Sequence, residues 1–216
     1  MAYQNFTTYT AATPPPTHPL SVSATSVYGV FYANEDAYRW KDFGAGHFTT
    51  YTWLFEMTCN SVYAGGSAVS GMGPGTATEI DDALNNDDWA GAYFYWTGSR
   101  LDIYAARFQV GSAISSVLVK SGASQATKYF VTYTKSGTGA NGVSVVVTTG
   151  AHSPGGTPVG TGTFTDACAS RPYIMGASTR NTAATSRWID CTFENLNIGE
   201  GSVVPQIMLG RRMRNA

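Results

Sequence analysis

The chain is poor in charge. Of its 216 residues only 12% are Asp, Glu, Lys or Arg, about half the usual share of ~25%, so much of its surface has to be Ser, Thr, Asn and Gly. Such a surface suits packing against neighbouring molecules. The formal net charge is −1, which gives no general attraction to nucleic acid or to an anionic membrane. No apolar run approaches the length of a membrane span. The opening residues Met1-Ala2-Tyr3-Gln4-Asn5-Phe6 lack the basic segment and apolar core of a secretion signal. The expected location is therefore a particle surface, or outside a cell after lysis. Cysteine is scarce as well: Cys59, Cys168 and Cys191 allow at most one disulfide, and the absence of a C-x-x-C or a nearby His pair excludes a zinc pattern. Cys191 alternates with Ile189 and Phe193 and reads as a small buried apolar residue.

A convincing helix is missing too, and short aromatic and β-branched runs stand in its place. Strands are expected at 20–24, 27–32, 37–42, 48–59, 89–96, 101–108, 114–119, 128–135, 143–148, 172–176, 187–198 and 203–209. Most alternate with period two, the mark of a strand with two different faces. Tyr51, Trp53, Phe55 and Met57 share one side, and Thr52, Leu54 and Glu56 the other. Asn141-Gly142, and Thr97-Gly98-Ser99, supply the turn chemistry of hairpins. Segment 60–88 reads as a loop because of Gly65-Gly66, Gly71 and Gly73-Pro74-Gly75, with one helical turn from Thr78 to Leu84 capped by Thr78. No repeat of fixed period is present, which argues against a propeller or solenoid.

Residues 1–19 end in Thr13-Pro14-Pro15-Pro16-Thr17-His18-Pro19. Prolines lock φ and remove N–H donors, so this segment is expected to be an extended arm outside the core. A sandwich domain over 20–209 and a basic tail over 210–216, carrying Arg211, Arg212 and Arg214, complete the expected organisation. The prolines and these arginines are candidate anchors to a partner.

Four stretches carry a resemblance to a known family. They are Asp42 to Phe48 running into the aromatic strand at 50–58; Ala92-Tyr93-Phe94-Tyr95-Trp96 followed by Arg100-Leu101-Asp102-Ile103-Tyr104; Lys128 to Gly137 leading to 143–148; and Trp188 to Leu196. Their order resembles the concanavalin A-like, or laminin-G-like, jelly roll, which implies an all-β, antiparallel two-sheet sandwich. Members include lectins, glycosidases, adhesion modules and domains of phage structural proteins.

Catalytic patterns are weak. Glu79-Ile80-Asp81-Asp82-Ala83-Leu84 begins like the E-x-D-x-x-E motif of jelly-roll glycosidases, but Leu84 stands where the third carboxylate belongs. Asp190 and Glu194 share a strand face about 13 Å apart, too far for the ~5–5.5 Å of a retaining pair. His18, His47 and His152 sit in no nucleophile-elbow setting. Asp81, Asp82, Asp87 and Asp88 offer oxygen ligands of the kind calcium takes, in a spacing that fails the EF-hand loop. Trp89 beside Asp87 and Asp88, and Trp188 beside Arg187, are candidates for stacking on a sugar. Tyr93, Phe94, Tyr95 and Trp96 cannot all point inward, so some aromatic surface must meet a second sheet, a neighbour or a ligand.

The expectation drawn from these observations is a non-enzymatic virion component, a decoration or tail-associated module. It would join a homo-oligomer or lattice of other virion subunits and bind neither nucleic acid nor membrane. A carbohydrate-binding, lectin-like adhesion module is the alternative, and a glycoside hydrolase a further one.

Overall fold

Alternation of large apolar and polar residues builds two sheets that share one core. The structure is a computed structural model and describes residues 3–11, 17–32, 35, 37–44, 47–75, 89–109, 112–137, 139, 141–166, 173–178 and 187–199. The strands are β1 (Thr10–Ala11), β2 (Ser21–Val22), β3 (Ser26–Tyr32), β4 (Arg39–Asp42), β5 (Tyr51–Val62), β6 (Ala68–Gly75), β7 (Trp89–Trp96), β8 (Leu101–Gln109), β9 (Ser112–Lys120), β10 (Lys128–Lys135), β11 (Val143–Thr149), β12 (Thr157–Phe164), β13 (Tyr173–Ser178) and β14 (Trp188–Asn197). Sheet I has the order β1-β4-β13-β6-β7-β8-β9, and sheet II the order β12-β11-β10-β5-β14-β3-β2. Every described pairing is antiparallel. The chain is an antiparallel, two-sheet sandwich of jelly-roll type.

The core follows the period-two rule. Tyr51, Trp53, Phe55, Met57 and Cys59 of β5 pack inward with Val131 and Tyr133 of β10, Val143, Val145 and Val147 of β11, and Ile189, Cys191 and Phe193 of β14. Sheet I answers with Met72, Ala90, Ala92, Phe94, Leu101, Ile103 and Ala105. Both expected hairpins form: β7 and β8 meet across Gly98, whose φ is 96°, and β10 and β11 meet across the 136–142 turn.

Two expectations are corrected. Segment 60–88 is not a continuous loop, since residues 68–75 form β6 between β13 and β7. Nor does the N-terminal segment stand wholly outside the core: Phe6 and Tyr9 are buried in it, the Gln4 N–H donates to the Leu196 carbonyl at 2.7 Å, and β1 pairs with β4. Burial of two aromatic rings offsets the ordering entropy that would otherwise leave a chain end free. Pro14, Pro15, Pro16, the turn from Thr78 to Leu84, the strand at 203–209 and Arg211, Arg212 and Arg214 lie outside the described residues.

A strand missing from the sequence reading, β12, closes one side of the sandwich. A Cβ on Gly160 would collide with the carbonyl oxygen of Val119 on β9, so only glycine lets β12 of sheet II press against β9 of sheet I.

Candidate functional site

The outward face of sheet I carries a second aromatic cluster, separated from the core by the sheet itself. Register and alternation send Ala90, Ala92 and Phe94 of β7 inward. They send Trp89, Tyr93 and Tyr95 to the other side, where these residues pack with Tyr38, Trp40, Val69, Tyr104 and Ala106. The outward positions of neighbouring β6 are occupied largely by Gly71 and Gly73, opposite Tyr93 and next to Gly91. A Cβ on Gly73 would strike the Ala90 carbonyl oxygen, and one on Gly71 would strike the Tyr93 side chain. Glycine at 71 and 73 thus lets β6 lie close against β7, and the Trp89 ring lies over Gly91.

The rings have defined geometry. Tyr93 and Tyr104, cross-strand partners, stack with centroids 5.6 Å apart and planes 14° apart. Tyr95 meets Tyr104 edge-on at 5.9 Å, and Trp89 tilts against Tyr93 at 6.4 Å. Tyr93 is buried whereas Trp40, Tyr95 and Tyr104 are partly exposed. Leu118, opposite Tyr104 on β9, is 44% exposed and extends the apolar edge. Burial pushes the Tyr93 phenol up from its ordinary pKa, and Tyr104 and Tyr95 add to the shift.

Charge beside this face is locked. Asp102, across from Tyr95, accepts from Arg100 Nε at 2.7 Å and Nη2 at 2.8 Å, and from the Gly122 N–H at 3.0 Å. The Arg100 hydrogen bond, chiefly, holds the Asp102 carboxyl below the usual carboxylate range. Asp42 Oδ1 accepts from the Gly44 N–H at 2.7 Å. Such a face is suited to stacking on sugar C–H faces and to hydroxyl hydrogen bonds.

The structure separates the residues proposed from sequence. Trp89 belongs to the outward face of sheet I but is only 3% exposed, so it supports the face from below and is not a free stacking platform. Trp188 lies across from Tyr32 on the outward side of sheet II, its ring 6.4 Å from Tyr63, and Arg187 crosses Gly66. The two tryptophans therefore occupy different sheets. Asp81, Asp82, Asp87, Asp88 and Cys168 lie outside the described residues. Among the described residues no group of three or more His, Cys, Asp or Glu side chains converges as a metal site would require.

Asp190 and Glu194 point away from the core, as alternation demands, and each has a partner. Asp190 accepts from Asn60 Nδ2 at 3.1 Å. Glu194 pairs with Lys128 at 2.8 Å, and the same ammonium holds Glu56 at 2.8 Å. Glu56 and Glu194 are direct cross-strand partners, a pairing invisible in the sequence because it depends on the β5–β14 register. Asn195 Nδ2 adds a bond to Glu56 at 3.0 Å. With one ammonium shared between the two carboxylates, this is an ion-paired clamp across β10, β5 and β14 that keeps one net negative charge. The three histidines are dispersed: His18 stacks on Tyr32 at 4.0 Å and bonds Glu35 at 2.8 Å, His47 meets Phe48 at 4.5 Å, and His152 meets Phe130 at 5.2 Å. A small apolar cavity lies beside Phe6, Phe31 and Met72.

No protein-family model matches the sequence, and neither does any curated protein. Solved structures do match in fold. The alginate lyase Aly36B superposes with a TM-score of 0.51 at 13% identity, over 91% of this chain and 95% of that one. A functionally unknown protein from Saccharomyces cerevisiae gives a TM-score of 0.50 at 12% identity, over 92% and 100%. The carbohydrate-binding module CBM66 from Bacillus subtilis gives 0.47 at 9% identity, over 90% and 94%.

These matches correct the expectation that the chain is non-enzymatic. An alginate lyase is built on this same arrangement of layers, so two sheets with few charges do not by themselves imply a purely structural part. The expected place in a virion finds no support among the similar structures.

Proposed function

We propose that the chain recognises a polysaccharide across the outward face of sheet I. The observation that carries this reading is the cluster of Trp40, Tyr95 and Tyr104, supported by buried Trp89 and Tyr93. Aromatic faces stack on the C–H surfaces of sugar rings, and phenol hydroxyls bond their polar rims. The fold supports the same reading, because Aly36B, which acts on alginate, shares it.

The test is titration calorimetry against a panel of neutral and uronate polysaccharides, with a reducing-end assay on the same incubations to register any cleavage. Saturable binding is expected, weakened about five- to tenfold in Tyr104→Ala, the loss of about 1 kcal/mol of stacking. Tyr28→Ala is the control, since Tyr28 is exposed on sheet II and its loss should leave binding intact. Absence of saturable binding across the panel, or equal affinity in Tyr104→Ala, would refute the reading.

A further inference from the structure

Cys59 and Cys191 are direct cross-strand partners on β5 and β14. Both side chains face the core at 0% exposure, and both are free thiols. The register shifts at this point, between Asp190 and Cys191, so the two strands are joined here by one less regular rung. Opposed residues of an antiparallel pair have Cα atoms about 4.5–5.5 Å apart, inside the ~4.4–6.8 Å that a disulfide spans. The reduced pair is held by ordinary contacts: the Cys59 thiol reaches the Ser61 carbonyl at 3.7 Å.

We infer that Cys59 and Cys191 form a cross-strand disulfide, closing β5 onto β14, when the chain folds in the presence of a low-molecular-weight disulfide oxidant. The thiolate of one cysteine attacks the oxidant's S–S bond, forms a mixed disulfide and releases one thiol of the oxidant. The second cysteine thiolate then attacks the mixed disulfide and releases the other thiol. Two protons and two electrons leave the protein, and the oxidant is reduced to two thiols. Burial, with the facing Cys59 thiol adding to it, pushes the Cys191 thiol up from its ordinary pKa. The folded core therefore supplies little thiolate, and the exchange belongs to the folding chain, before the sheets close. Once formed, the link joins β5 to β14 at the shifted rung and closes a loop of more than a hundred residues, which restricts the unfolded chain more than a short loop would.

The experiment refolds the full chain from denaturant with oxidised and reduced glutathione, then maps peptides without reduction and titrates thiols. The expected result is a peptide linking Cys59 to Cys191, loss of two hydrogens from the intact mass, one remaining titratable thiol of the three, and a higher urea midpoint that dithiothreitol reverses. Cys168→Ala should keep the linked peptide and the midpoint shift. Cys59→Ala and Cys191→Ala should lose both. Oxidant added to the already folded protein should act far more slowly. Three titratable thiols after oxidative refolding, or a link through Cys168, overturns the inference, and the wild-type peptide map decides even if an alanine variant folds poorly.

Discussion

The indole of Trp89 lies over Gly91, two residues along the same strand, so closely that a methyl group there would come within 2.5 Å of ring carbon Cζ2. The ring is laid along the sheet because the glycine leaves it room. Gly91→Ala should therefore lift the ring and strain the Met72 carbonyl on β6, which the new methyl would also strike. The expected cost is about 1–3 kcal/mol, measured as a lowered midpoint in urea denaturation. A midpoint equal to that of the parent would show that the ring does not need this glycine.

Lys135 and Asp166 form an ion pair at 3.3 Å with both side chains at 0% exposure. Removing Asp166 takes this carboxylate away from a buried ammonium. Asp166→Leu should destabilise the chain by about 3–5 kcal/mol, and adding Lys135→Met should restore most of that loss, because an apolar pair carries no desolvation penalty. Additive single and double effects in the same denaturation series would contradict this account.

Asp102 gives the fold an acid limb. Its carboxyl is held below the usual range chiefly by Arg100, so on acidification the unfolded chain takes up this proton first, near the ordinary aspartate value of ~3.9. The stabilisation is complete above that value and is lost as pH falls through the depressed folded-state pKa. Asp102→Asn should lower the urea midpoint at pH 7 and flatten its decline below about pH 4. A decline as steep as the parent's would assign the acid limb to other carboxyls.

Much of the framework was legible wherever a strand's two faces differ in kind. The alternation Tyr51, Trp53, Phe55, Met57 against Thr52, Leu54, Glu56 is the alternation of buried and outward residues in β5, and the same holds for β10 and β14. Two strands were hidden by glycine. In β6, Ala68-Val69-Ser70-Gly71-Met72-Gly73-Pro74-Gly75 reads as loop because side chains are missing at 71 and 73, their space taken by the Tyr93 Cβ and the Ala90 carbonyl of β7. In β12, Gly160 and Gly162 reflect the approach of β9. Each reason resides in a different strand, which a local window does not contain.

The candidate site was half visible. That Tyr93, Phe94, Tyr95 and Trp96 cannot share one side follows from strand geometry, and the structure divides them into Phe94 and Trp96 toward the core and Tyr93 and Tyr95 outward. What could not be read is the company they keep. Trp40 and Tyr104 join them through the order of β4, β13, β6, β7 and β8, and that order is long-range. The same gap made Trp89 look like a sugar platform, although its neighbours cover it.

The seam where Gly160 of β12 meets the Val119 backbone of β9 bears on how so weakly charged a molecule resists sticking to its own copies. Unpaired strand rims recruit further strands, and like-charge repulsion is the usual guard against it. Here the eight- and nine-residue rims β12 and β9 shelter one another. On the opposite side each sheet ends in a two-residue strand, β1 and β2.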